Sequence, residues 1–131
     1  MENGDQPLAP HLDVTEERAE PGNRVIALRG ELDVATVGSL RGVLGPAVDD
    51  PDTRLVVVDL TEVTFIDSTG LMTLLNALRR LVRRGGRLVL ACSNPTVLRL
   101  FAITGTDTTL HVLPDRRAAL SAVSDGDDPA S

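Results

Sequence analysis

Thr64-Phe65-Ile66-Asp67-Ser68-Thr69-Gly70-Leu71 joins an apolar, strand-like segment to the most regular helical pattern in the chain, with small hydroxyl residues at the junction. A helix beginning at Asp67 or Ser68 exposes backbone N–H groups that have no intrahelical acceptor, together with a partial positive charge. A hydroxyl at that point can cap the helix, attack a substrate or carry a phosphate. Choosing among these three roles decides what the protein does.

Downstream of the junction, Leu71, Leu74, Leu75, Leu78 and Val82 fall on one helical stripe, and Gly85-Gly86 supplies a left-handed C-terminal turn. Arg79, Arg80, Arg83 and Arg84 stand at the negative end of this helix and read as a solvated face that complements the dipole. Upstream, Arg54 to Leu60 (RLVVVDL) does not alternate, as expected of a strand covered on both faces.

The same reading extends to the rest of the chain. Leu12 to Thr15 and Arg24 to Arg29 form a hairpin around Pro21-Gly22-Asn23. After Gly30-Glu31-Leu32, Asp33 is placed to cap a helix carrying Val34, Val37, Leu40, Val43, Leu44 and Val48, which ends near Asp49 before Asp50-Pro51-Asp52. Arg87 to Ala91 is a strand, and Asn94-Pro95 opens a helix whose stripe is Val97, Leu98, Phe101 and Ala102, closed by Gly105. Thr109 to Leu113 is a last short strand, and Asp115 opens a final helix with Ala118, Ala119, Leu120 and Val123. The order ββαβαβαβα predicts an α/β domain over residues 11–123, with parallel later strands and right-handed crossovers. Residues 1–10 and 124–131, polar and rich in proline and aspartate, read as mobile tails.

Composition removes several classes of function. With 131 residues, 42% hydrophobic against 24% charged, the chain can bury a core without disulfides or metals. Tyr and Trp are absent and the net charge is -6, so neither base stacking nor phosphate-backbone attraction favours nucleic acid. Cys92 is the sole cysteine, which fits a buried structural thiol in a reducing cytoplasm and offers no metal-ligand cluster. The opening MENGDQPLAP lacks the apolar core of a secretory signal, and no apolar run is long enough to span a bilayer.

Catalysis at the junction finds no partners. Gly-x-Ser-x-Gly is absent, and the only histidines, His11 and His111, lie in the expected tail and in a strand pattern. No phosphate-binding glycine loop occurs. A receiver-like aspartyl phosphate at Asp59 has Glu31 and Asp33 as candidate magnesium ligands by position, but the chain contains no lysine to neutralise the phosphoryl group. Ser68 is therefore better read as a substrate than as a catalyst. A phosphate on it would sit beside helix N–H groups that tolerate it, while a partner on the same surface would have to desolvate it beside Asp33 and Asp67. Helix capping by Ser68 stays open on chemistry alone.

These residues resemble the STAS-domain anti-sigma factor antagonists of bacteria, from about Leu12 to Val123. Gly30-Glu31-Leu32-Asp33 is similar to the family's first signature, and Phe65-Ile66-Asp67-Ser68-Thr69-Gly70-Leu71 to its phosphorylation motif. Arg84 to Leu90 and Pro95-x-Val97-x-Arg99-Leu100-Phe101-x-x-x-Gly105 are similar to its later strand and helix. The resemblance implies a single STAS-like domain with a mixed, mostly parallel sheet of four to five strands and about four helices. It implies a non-enzymatic cytoplasmic switch with no cofactor of its own. The unphosphorylated form binds an anti-sigma factor with serine kinase activity and frees a sigma factor; phosphorylation of Ser68 ends the binding, and a PP2C-type phosphatase restores it. Partner contacts fall to Asp33, Asp67, Ser68, Thr69, Gly70 and Met72, with Thr69 an alternative acceptor. Met72 stands off the buried stripe where a glycine is frequent in the family, which adds exposed apolar surface. The rival is a STAS scaffold or a transport-complex subunit without a phosphate cycle.

Overall fold

The structure, a computed structural model, describes residues 11–124. The elements run β1 (Leu12–Arg18), β2 (Asn23–Leu32), α1 (Val37–Asp49), β3 (Leu55–Ile66), α2 (Ser68–Arg83), β4 (Arg87–Ala91), α3 (Pro95–Thr104), a 3-10 turn (Thr106–Thr108), β5 (His111–Leu113) and α4 (Arg116–Ser124). The order is the expected one. The tails read at 1–10 and from 125 onward lie outside the described residues, whereas Ser124 ends α4.

One five-stranded sheet has the order β1-β2-β3-β4-β5. Its first pair is antiparallel and the other three are parallel, so the sheet is mixed but mostly parallel. Buried side chains of α1, α2 and α3, including Leu40, Leu74, Leu81 and Phe101, share one cluster with Ile26, Val56, Val58 and Leu90 of the strands. Ala119 of α4 packs in a separate cluster with Val25, Leu55, Val57 and Val89. Successive residues of a strand point to opposite faces, so three helices cover one face and α4 the other. Burial on both faces is the reason that Leu55 to Leu60 contains no polar alternation apart from Asp59.

Asp59 is buried and satisfied: it accepts from the Thr61 backbone and hydroxyl and from Arg116, which also pairs with Glu17. A carboxylate enclosed by hydrogen bonds and a guanidinium is a structural tie between β3 and α4.

Three local expectations are corrected. α1 begins at Val37 with Thr36 at its cap position, and Asp33 caps the turn before it, so Val34 is exposed, not a core residue. β3 continues to Ile66 because two register shifts, each placing one extra β3 residue opposite β2, between Ala27 and Arg29 and between Gly30 and Glu31, let the strands stay paired past Leu60. Val82, Leu98 and Ala102 stand on exposed surface, outside the core that Leu81, Val97 and Phe101 join.

At the far end of α2, Gly85 adopts φ 81. Its N–H donates to the Val82 carbonyl and that of Gly86 to the Leu81 carbonyl, the paired bonds of a left-handed helix stop. Arg80 pairs with Asp49, and Arg84 donates to the Asp50 carbonyl at 2.6 Å. Two members of the arginine row thus tie the end of α2 to the end of α1 and are not purely solvated.

Candidate functional site

The C-terminal ends of β2 and β3 converge where Leu32 pairs with Ile66. The Asp67 backbone N–H donates to the Leu32 carbonyl at 3.1 Å, which holds the start of α2 against the end of β2. Asp67 is the cap residue of α2: its Oδ1 accepts the Gly70 N–H at 2.9 Å, and its Oδ2 accepts the Val34 N–H at 3.0 Å. A single carboxylate therefore satisfies an orphan donor of the helix and pins the β2–α1 loop.

That loop also closes on itself. Asp33 Oδ1 accepts from the N–H groups of Ala35 at 2.9 Å and Thr36 at 3.1 Å, and the Thr36 hydroxyl donates to the Glu31 carbonyl at 2.7 Å. These bonds turn the Val34 side chain outward, 71% exposed.

Ser68 occupies the first helical position and is exposed. Because Asp67 does the capping, the Ser68 hydroxyl is not needed to satisfy the helix end, and the capping role left open for it is set aside. Thr69 is half-buried, and its carbonyl accepts the Thr73 hydroxyl at 3.0 Å. The backbone N–H groups of Ser68 and Thr69 have no carbonyl within the helix to bond, so this end offers donors to an anion attached at Ser68.

Gly70 is required by close approach. A Cβ on it would lie 2.7 Å from Leu32 Cγ and 3.0 Å from the Leu32 carbonyl oxygen. Gly30 is constrained more strongly, with φ 121 and a Cβ position 2.1 Å from the His11 carbonyl oxygen, which itself accepts the Glu31 N–H. His11 therefore belongs to the sheet edge and not to a tail; it is exposed and bonded to Asp13. His111 begins β5, far along the chain from Ser68.

Met72 is 46% exposed, as its place off the stripe requires. Two further exposed apolar side chains are Phe65, three residues before Ser68, and Val34, whose N–H donates to the Asp67 carboxylate; the sequence pattern read Val34 as part of a helical stripe and assigned Phe65 no surface role. Phe65 stands on the sheet face opposite the buried Ile66, and at this end of β3 that face is exposed. The structure thus brings Asp33, Asp67, Ser68, Thr69 and Gly70 together through the two joined turns, with apolar side chains beside them. Among the described residues no helix is long and apolar enough to cross a membrane.

The fold and the family comparison together define the class. The chain belongs to the STAS domain family, whose pattern matches residues 15–119. Its sequence is 38% identical over 87 residues to the anti-sigma-B factor antagonist of Staphylococcus aureus, a match that spans 66% of this chain and 80% of that protein. Its fold matches an anti-sigma factor antagonist from Mycobacterium paratuberculosis with a TM-score of 0.79 and 29% identity, over 87% of this chain and 95% of that one. It also matches the Bacillus cell fate determinant SpoIIAA in the phosphorylated form, with a TM-score of 0.68 over 85% of this chain and 99% of that one; at 24% identity the likeness is one of fold.

Proposed function

We propose that this chain is a cytoplasmic anti-sigma factor antagonist switched by phosphorylation of Ser68. The unmodified form binds an anti-sigma factor that is also a serine kinase, and so releases the sigma factor that the kinase holds. In the complex the Ser68 hydroxyl attacks the γ-phosphorus of ATP held by the kinase: the serine O–P bond forms, the bond to the β-phosphate oxygen breaks, ADP leaves, and the hydroxyl proton passes to a base of the kinase. A PP2C-type phosphatase hydrolyses the ester and returns the serine. ATP and metal ions belong to the partners, and the chain performs no catalysis.

One observation carries the reading: Ser68 is exposed at the first position of α2 while Asp67 supplies the cap. A phosphate can be added there without removing a structural hydrogen bond. The phosphate brings about -1.5 to -2 charges into a surface already bearing Asp33 and Asp67, which a docked partner must desolvate. The names of the relatives at 38% and 29% identity support the same reading. Incubation with candidate anti-sigma kinases and ATP, followed by mass spectrometry, locates the modification. Phosphate on Ser68 supports the switch; a kinase that binds the chain yet leaves both Ser68 and Thr69 unmodified favours a scaffold role.

A further inference from the structure

A cavity of about 710 Å³ lies between the C-terminal half of α2, the start of β4 and the turn leading into β5, at the sheet end opposite Ser68. Three properties bear on what it could hold. Its volume falls within the range of ligand pockets, about 300–1,000 Å³. On one wall stand Leu78 and Val82, and Val82 is 57% exposed although its spacing continues the core stripe of α2. The helix therefore carries more apolar surface than the sheet covers, and the excess faces this cavity.

The polar side chains of the lining are Arg87, Asp107, Thr108, Thr109 and His111. Arg87 and His111 stand at the starts of two neighbouring strands, and His111 Nδ1 is buried with no hydrogen-bond partner. A buried imidazole nitrogen without a partner costs free energy that an occupant with a suitable group can recover. The one acidic lining residue, Asp107, is exposed on the 3-10 turn.

We propose that this cavity binds a small carboxylate with an unbranched apolar tail, the carboxylate held by Arg87 and His111 and the tail lying along Leu78 and Val82. An apolar body requires the wall, and a negative head group requires the guanidinium and the imidazole N–H. Contact between the carboxylate and His111 requires a rotation of the ring, because Nδ1 is closed off from solvent. This site is independent of the Ser68 surface.

The test is a titration of the full chain with sodium octanoate, followed by backbone and methyl NMR. Saturable shifts confined to Leu78, Val82, Leu88, Leu110 and His111 are expected. Val82→Asp and, on the opposite wall, Thr109→Glu each weaken binding at least tenfold, Arg87→Gln at least fivefold, and Ser68→Asp changes it less than twofold. 1-Octanol, which lacks the charge, binds at least tenfold more weakly than octanoate. The proposal is overturned if octanoate gives no saturable shifts below its micelle concentration, if the shifts map elsewhere, or if octanol binds as tightly. Spectra of the variants without ligand confirm that each is folded, and the two wall variants test the site separately should Arg87→Gln unfold.

Discussion

The Asp67 carboxylate accepts the backbone N–H of Val34 at 3.0 Å across 33 positions of sequence, while its other oxygen caps α2 through Gly70. Asp67 is thus the structural residue of the pair, and the Ser68 hydroxyl takes no part in the cap. Under the proposed function, structure and regulation are divided between these two adjacent side chains.

From this division, Asp67→Ala should cost about 1–2 kcal/mol, the ordinary cost of losing a helix cap. Ser68→Ala should stay within about 0.5 kcal/mol of the parent, as for a surface substitution. Urea unfolding compares the two, and amide exchange at Val34 and Gly70 should accelerate only in the Asp67 variant. Equal losses in both variants would mean that the serine shares the cap.

Gly70→Ala places a methyl group 2.7 Å from Leu32 Cγ, against backbone that cannot retreat because Asp67 is bonded to the Leu32 carbonyl. Overpacking of this kind costs about 1–3 kcal/mol. A double variant with Leu32→Ala removes the nearer obstacle, so its loss should be less than the sum of the two single losses. Strict additivity in chemical denaturation would show that the contact is not the reason for the glycine.

Much of this architecture is legible in the sequence because local rules and tertiary packing agree there. Asn94-Pro95, Arg87 to Ala91 and Gly85-Gly86 carry their own stop, start and burial signals, and the structure follows them. The failures arise where packing at a distance decides. Val34 fits a helical stripe, yet Asp33, Thr36 and Asp67 spend its segment on turn hydrogen bonds. Val82 fits the stripe of α2 yet is exposed. At the site, the serine, its neighbours and Met72 could be read directly. The identity of the cap could not, since both Asp67 and Ser68 are good capping residues and only the observed geometry separates them.

Exposed apolar side chains beside Ser68 should contribute to partner binding without contributing to the core. Met72→Glu and Val34→Ser are expected to weaken binding to the anti-sigma kinase by at least tenfold, with unfolding midpoints close to the parent. Surface plasmon resonance measures the first and thermal unfolding the second. Unchanged affinity in both variants would remove these side chains from the interface.

Asp13 on the β1 edge is held below the usual carboxylate range, first by its hydrogen bond from Arg29 and then by His11. A carboxyl depressed in the folded state stabilises above its unfolded pKa and loses that contribution as pH falls through the folded value. In an NMR titration the Asp13 midpoint should lie below that of an unperturbed aspartate, and Arg29→Ala should raise it. Burial, opposed by a backbone hydrogen bond at Asn94, pushes the Cys92 thiol upward. Cys92 should accordingly react with a thiol reagent at neutral pH only after unfolding, and rapid reaction in the native state would contradict its buried place.

The central claim is that one phosphate on Ser68 ends partner binding while leaving the fold intact. Calorimetric titration of an anti-sigma kinase with the unmodified chain, and with the chain stoichiometrically phosphorylated on Ser68, tests it most directly. At least a hundredfold loss of affinity, with the unfolding midpoint of the phosphorylated chain unchanged, is the predicted result. Equal affinity of the two forms would contradict it.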